Sequence, residues 1–361
     1  MNTERDKLLE ELTEGEKVEY EKLLKEKKKE YEKLMKEKIE ENKNRLNTAF
    51  EEDKLHRIAV NMCCYPFCSN GYLKEKTGYF FIRADPLYEL GRYLSDFDFL
   101  LYNPMSNVAI FGEAKGSLSS HQVNSEVSDV SKKINVVESN KEYIENEIIG
   151  DQIKKFEYVL AVPPYSDQKV ISEIRKKLLP VSVWSLDMGN RKLTLKTFTD
   201  RENRLTETVA GQVHSDSKLK SELFDDVDTE DKFLDLFPRS PPFTKISKCL
   251  VTAKALSDST NAISRENILD VIDKMLYYLT DETKQTICEE IIKGGIDIEI
   301  LHEEEGRYTI KSEYSDSLEQ DILDKWIDKR STEKAEFEVS SVFIKEAKEI
   351  IQKRKSVWEK Y

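Results

Sequence analysis

Residues 95–115 read SDFDFLLYNPMSNVAIFGEAK and contain two apolar runs, 97–102 and 108–114, on either side of the polar segment NPMSN. Asn, Pro and Ser are typical turn residues, so the pattern predicts a β-hairpin. If the hairpin is symmetric about Met105 and Ser106, Asp98 lies opposite Glu113 and Asp96 lies opposite Lys115. Because side chains alternate between the faces of a strand, all four then project to the same side.

Opposing carboxylates repel one another unless a cation lies between them. Oxygen ligands that meet at one point suit Mg²⁺, with Mn²⁺ as an alternative, and water and a substrate phosphate complete the coordination. A lysine beside the carboxylates can orient a water molecule and offset phosphate charge. These residue types on one face therefore predict metal-dependent phosphodiester hydrolysis.

The segment resembles the PD-(D/E)XK nuclease superfamily, which has the restriction-endonuclease-like fold. The resemblance rests on Asp98 at the start of one strand and on Glu113-Ala114-Lys115 at the end of the next, and Phe97 stands where the family's name has proline. It implies that Asp98, Glu113 and the backbone carbonyl of Ala114 are metal ligands. It also implies that Lys115 activates the water.

Two alternatives concern the acidic ligands. Asp96 lies on the same predicted face and competes with Asp98 for the first position. The helix before the hairpin often adds an acid in this family, and Glu51 or Glu52 could supply it here.

The same tripeptide, Glu-Ala-Lys, recurs at 346–348 in a charged segment with helical spacing. That copy has no preceding strand or opposing aspartate and reads as an ordinary helix surface. The competing interpretation of the first copy is a surface ion-pair ladder at a sheet edge, which would contribute roughly 0–1 kcal/mol per pair.

The element pattern predicts an α/β (α+β) fold with four regions. Residues 1–57 form a charged helical arm with an apolar stripe that packs on the body of the chain or on a protein partner. Residues 58–200 form a mixed-sheet nuclease-like domain, and 201–242, which end in PRSPP, form a linker. Residues 243–361 form a mostly helical, winged-helix-like domain with helices at 243–256, 264–278 and 281–293 and a hairpin at 296–310.

Composition limits the partners and the compartment. No apolar run reaches the ~20 residues of a membrane span, and the N-terminus lacks the apolar core of a signal peptide. Five cysteines, an odd number, argue against a disulfide framework and favour the cytoplasm. His214 and His302 have no companions in the sequence and read as surface residues.

The formal charge of −13 predicts weak nucleic-acid binding without metal and strong sensitivity to salt. The predicted third helix and hairpin tip of the winged-helix-like domain are acidic, which argues against phosphate contact there and favours protein contacts or dimerisation.

These observations favour a Mg²⁺-dependent endonuclease that acts on DNA in restriction or genome defence, and double-strand cleavage favours a homodimer. The alternatives are a repair or recombination nuclease of the same fold, and a DNA-binding or scaffold protein without turnover.

Overall fold

The computed structural model describes residues 4–91, 94–196, 198–199, 205–206, 214–257, 262–304, 306–311 and 318–358. The chain divides into two compact units, one of residues 1–51 and 293–361 and one of residues 52–292. Helices α3 (Lys28–Cys64) and α11 (Asp281–Asp297) each contribute to both units. The division differs from the four regions expected from the sequence, whose boundaries stay a prediction.

A mixed sheet of seven strands forms the centre of the unit of residues 52–292, in the order β1-β2-β3-β4-β5-β6-β9. The β3–β4 and β4–β5 pairs are parallel, and the other neighbours are antiparallel. The α/β class is therefore correct. The strands of this sheet are β1 (Phe80–Ala84), β2 (Phe99–Asn103), β3 (Val108–Ala114), β4 (Lys155–Val162), β5 (Val181–Asp187), β6 (Lys192–Lys196) and β9 (Val227–Asp228).

Helices cover both faces of this sheet. One face packs on the end of α3 and on α8 (Ser217–Phe224), around Phe67, Phe99 and Trp184. The other face packs on α5 (Val123–Ser139) and α7 (Asp167–Lys177), around Phe111, Tyr158 and Leu160. The helices of this unit besides α3 and α11 are α4 (Tyr72–Thr77), α5 (Val123–Ser139), α6 (Lys141–Tyr143), α7 (Asp167–Lys177), α8 (Ser217–Phe224), α9 (Pro242–Leu256) and α10 (Arg265–Met275). The short strands β7 (Phe198–Thr199), β8 (Leu205–Thr206) and β10 (Ala262–Ile263) lie outside the sheet.

The β2–β3 hairpin has the predicted register, since Phe99 pairs with Gly112 and Asn103 pairs with Val108. The Asn103 side chain fixes the turn by accepting a hydrogen bond from the Met105 backbone N–H at 2.9 Å. Gly112 is required by packing, because a Cβ there would lie 1.9 Å from the Phe99 ring. Because residue 112 has no side chain, the Phe99 ring can lie directly against β3, next to the predicted ligand Glu113.

The segment expected to be a linker contributes to the core of this unit. Within it, α8 buries Leu219 and Leu223, β9 adds an edge strand to the sheet, and Phe237 is buried. A signal for α8 was present in Asp216, whose side chain caps the first turn by accepting hydrogen bonds from the Lys218 and Leu219 backbone.

The unit of residues 1–51 and 293–361 is built on the long helix α12 (Leu318–Trp358), with α1 (Glu4–Glu10), α2 (Glu14–Glu26) and the start of α3. The apolar stripe of the arm packs on α12, where the Tyr31 and Phe343 rings lie 5.4 Å apart. The stripe thus has a partner within the chain. A protein partner bound through the arm stays a prediction.

The helices and the hairpin predicted after residue 242 occur in the expected order, and β11 (Leu301–Glu304) pairs with β12 (Arg307–Ile310). The third helix was expected to end at residue 293 but continues to Asp297, so the strand expected at 296 begins at Leu301. A winged-helix arrangement of these elements stays a prediction. None of the helices in the described part of the chain is long and apolar enough to cross a membrane.

Candidate functional site

The hairpin brings Asp98 and Glu113 to the same end of the sheet. The Asp98 backbone N–H donates to the Gly112 carbonyl at 2.9 Å, which extends the ladder one residue beyond β2. The Asp98 side chain then turns across the pair and accepts a hydrogen bond from the Ala114 backbone N–H at 2.7 Å. Its carboxylate therefore lies over the Glu-Ala-Lys backbone.

Glu113 is buried on the face of the sheet that α5 covers, with 3% of its surface exposed. One carboxylate oxygen lies 2.9 Å from the Lys115 amine, and the other accepts a hydrogen bond from the Lys133 amine. Burial alone would raise the pKa of Glu113, but the charges of Lys133 and Lys115 outweigh it and lower that pKa to about 2. Glu113 is therefore an ion held by two ammonium groups.

Helix α5 contributes two charged groups that were not predicted, Glu126 and Lys133. The Lys115 amine lies 2.9 Å from a Glu126 oxygen, and the Lys133 amine lies 5.9 Å from the centre of the Phe97 ring. Glu126 and Lys133 are seven residues apart, so they share one face of the helix at the edge of its apolar stripe. Two charged residues seven apart, beside the buried apolar stripe of α5, are visible in the sequence and could have predicted this contribution.

Helix α3 supplies His56, which was also missed. Its Nδ1 lies 3.2 Å from the Ala114 carbonyl oxygen, and its Nε2 lies 3.6 Å from an Asp98 oxygen. Gly116 permits this approach, because a Cβ there would lie 2.3 Å from the Leu55 carbonyl oxygen. His56 thus contacts two of the groups predicted to be metal ligands.

The structure does not bring Asp96 to Lys115. The Asp96 carboxylate accepts hydrogen bonds from the backbone N–H groups of Leu87 at 2.6 Å and Phe97 at 2.7 Å, and Arg239 lies 3.7 Å away. These contacts hold the connection between β1 and β2 in place. Asp96 therefore has a structural position beside the site.

The two acids considered on the preceding helix are Glu51 and Glu52, and both lie on α3 at exposed positions. The helix reaches the site through His56, one turn beyond Glu52. A surface ion-pair ladder at a sheet edge is excluded as well, because β3 is an inner strand and Glu113 is buried.

The site carries more negative than positive charge when its acids are ionised, since Asp98, Glu113 and Glu126 face Lys115 and Lys133. Burial and the charge of Glu113 both raise the pKa of Asp98, while His56 and the two lysines lower it less. Burial lowers the pKa of Lys115, but the charges of Glu113 and Asp98 outweigh it and raise that pKa above the usual range. Lys115 is thus an ammonium group in this arrangement, a donor of hydrogen bonds.

The donor set fits a hard divalent cation. Mg²⁺ is usually held by one or two carboxylates and keeps several waters, and Asp98, Glu113 and the Ala114 carbonyl offer oxygens of this kind at neighbouring positions of the hairpin. Within the described ranges, three or more His, Cys, Asp or Glu side chains do not converge as a metal-binding group. Glu113 is instead held by the Lys115 and Lys133 amines, and Asp98 by the Ala114 N–H with His56 nearby.

A second buried carboxylate, Glu157, lies at the other end of the sheet, on β4. It accepts hydrogen bonds from the Ser215 backbone N–H at 2.7 Å and from His214 Nδ1 at 2.8 Å. The Trp184 indole N–H donates to His214 Nε2 at 3.0 Å, so the imidazole proton lies on Nδ1. The expectation that His214 is a surface residue was wrong, because its ring is buried by these contacts. His302 is half exposed beside Glu304.

Comparison of the chain with protein-family models, with curated proteins and with solved structures gave no match.

Proposed function

We propose that this chain is a metal-dependent endonuclease that hydrolyses DNA phosphodiester bonds at the site formed by Asp98, Glu113 and Lys115. The observation that carries the proposal is the position of the Asp98 carboxylate on the Ala114 backbone N–H, next to Glu113, whose charge acts on it. Burying two carboxylates together is costly unless cations compensate them. Asp98 directly precedes β2 and Glu113 is the last residue but one of β3, so both acids lie at the same end of the hairpin.

The roles follow from the contacts. Asp98, Glu113 and the Ala114 carbonyl would hold Mg²⁺ or Mn²⁺, and a bound ion would polarise a phosphoryl oxygen and lower the pKa of water. Lys115 is held between Glu113 and Glu126, so its ammonium group can orient water and offset phosphate charge. His56 lies against Asp98 and the Ala114 carbonyl and can fix both.

We also propose that the resemblance to the PD-(D/E)XK superfamily reflects the same restriction-endonuclease-like fold. It is supported by the strand order around the hairpin, with Asp98 before one strand and Glu-Ala-Lys at the end of the next. A role in restriction or genome defence would use a homodimer, because one such site cuts one strand. A repair or recombination nuclease of the same fold would use the same residues.

A nicking assay on supercoiled plasmid tests the proposal. Wild type should nick in Mg²⁺ or Mn²⁺, and Lys115→Ala should lose about 10²–10⁴-fold in rate. The second Glu-Ala-Lys copy provides the matched control, since Glu346 lies on α12 and pairs with Lys27. Lys348→Ala and Glu346→Gln should nick as wild type does.

Two results would overturn the assignment. Nicking that survives both Asp98→Asn and Glu113→Gln would remove the site. Metal-dependent DNA binding without any nicking, in either metal, would favour the non-catalytic DNA-binding or scaffold protein.

A further inference from the structure

An exposed aromatic ring and two lysines lie along one row of α7 and the turn before it. Tyr165 has 73% of its surface exposed, and Lys169 and Lys177 follow at intervals of four and eight residues. Lys169 and Lys177 are two helical turns apart on α7, and Tyr165 lies in the turn before it. All three side chains contact the segment 118–124, so they lie on one side and are called here the α7 strip. Glu173 lies on the same row but is paired with Lys176 at 3.0 Å.

The α7 strip begins next to the candidate site. Strands β3 and β4 are parallel and end at the same edge, where the Lys115 N–H donates to the Ala161 carbonyl at 2.9 Å. Three residues after Lys115, the Leu118 N–H donates to the Tyr165 hydroxyl at 3.3 Å. Chain geometry therefore places that hydroxyl within roughly 14 Å of the Lys115 Cα, the span of about two nucleotides.

The Tyr165 side chain is held at its hydroxyl although most of its surface is exposed. Its hydroxyl is anchored to the Leu118 backbone, so part of the entropy of fixing the side chain is already lost before a ligand binds. An exposed ring with a fixed edge suits stacking on a planar group. Every nucleobase has such a face, and stacking is available only to a base that is not already paired and stacked in a duplex.

The two lysines of the strip keep their positive charge uncompensated. The Lys169 amine donates to the Ser120 carbonyl, and the Lys177 amine donates to the Asn124 side chain at 2.6 Å. These partners are neutral oxygens, and the described part of the chain gives neither lysine a carboxylate partner. In a protein with a formal charge of −13, such a row attracts phosphate locally.

We propose that the α7 strip binds a single-stranded segment of DNA, with Tyr165 stacked on an unpaired base and Lys169 and Lys177 on its phosphates. The inference rests on the proposed nuclease function and deepens it. It makes the preferred substrate DNA with unpaired bases beside the scissile phosphate, such as a single strand, a flap or an overhang.

Fluorescence anisotropy with a labelled single-stranded oligonucleotide and its duplex, in Ca²⁺ to slow hydrolysis, tests the proposal. Tyr165→Ala should weaken single-strand binding about 10-fold and leave duplex binding within about twofold. Tyr165→Trp should restore it. Tyr277→Ala is the matched control, because Tyr277 is an exposed tyrosine of the same unit, 57% exposed, and it should bind as wild type does.

The salt dependence of single-strand binding tests the role of the two lysines. The double variant Lys169→Ala with Lys177→Ala should reduce the slope of log affinity against log salt by roughly 0.7 for each phosphate of a single strand that the variant no longer neutralises. A slope equal to that of wild type would show that these lysines do not bind phosphate.

The outcomes separate this proposal from the proposed function. In one outcome, wild type nicks plasmid while Tyr165→Ala and Tyr277→Ala bind single strands equally tightly. That result would overturn the proposed role of the α7 strip and leave the nuclease proposal standing. An equal loss on single strand and duplex would also overturn it, since stacking on unpaired bases would not be the cause. Wild type that neither binds nor cleaves DNA would overturn the nuclease function itself.

Discussion

Glu113 on β3 and Glu157 on β4 are two buried glutamates of one sheet with opposite surroundings. The pKa of each is lowered to about 2 against the effect of burial. Glu157 is held by a closed set of partners, the His214 ring and the Ser215 backbone and hydroxyl, with Lys155 at 3.0 Å. Glu113 is held by the flexible side chains of Lys115 and Lys133.

Because the pKa is low in both glutamates, a low pKa does not by itself separate a carboxylate of the fold from one proposed to bind metal. Removing the partners of Glu157 would require moving a buried ring and a backbone segment. The partners of Glu113 are two amines on long side chains, which can turn away when another cation or a phosphate arrives. We infer that Glu157 serves the fold and Glu113 serves the chemistry.

The largest expected effect is on cleavage. Glu113→Gln should reduce metal-dependent nicking by on the order of 10³-fold, because it removes one carboxylate ligand from the buried site. Glu157→Gln should nick within a few-fold of wild type under conditions where circular dichroism shows it folded. Equal loss in both variants would end the distinction between the two glutamates.

The second effect is the pH dependence of stability at Glu157. Its folded pKa of about 2 lies below the ordinary value of 4.5, so its ionised form stabilises the fold above about pH 4.5. This contribution is lost as the pH falls towards 2. Glu157→Gln should cost about 2 kcal/mol in the free energy of unfolding at pH 7, and the cost should shrink below pH 4.5. Urea unfolding at several pH values measures it, and a cost that is constant from pH 7 to pH 3 would contradict the account.

A smaller effect is expected when one amine of the site is removed. Lys133→Met leaves Glu113 with Lys115 as its remaining cation, so unfolding at pH 7 should become easier by about 1–2 kcal/mol. In Lys133→Met with Glu113→Gln the losses should not add, because the second change removes the uncompensated charge. Additive losses in urea unfolding would show that Lys133 stabilises the fold independently of Glu113.

The sequence predicted the hairpin well because its information is local. The turn at 103–107 and the alternation of the two strands set the register, which brings Asp98 and Glu113 to the same end of the hairpin. Gly112 is also visible in the sequence, although the reason for it, the Phe99 ring, appears only in the packing.

The missed residues come from distant parts of the chain. His56 reaches the site because α3 approaches Gly116, and Lys133 because α5 folds back over β3. Neither approach follows from local spacing alone. The sequence predicted Asp96 on the same face as Asp98 because strand alternation was expected to include residue 96. Strand β2 begins only at Phe99, and the Asp96 carboxylate accepts hydrogen bonds from backbone N–H groups instead.

Anomalous diffraction from crystals soaked in Mn²⁺ tests whether Asp98 and Glu113 bind a metal together. We expect a metal peak in contact with a carboxylate oxygen of both Asp98 and Glu113, with the Lys133 amine displaced from Glu113. Crystals saturated with Mn²⁺ that show no peak there, and both lysines still bound to Glu113, would contradict this expectation.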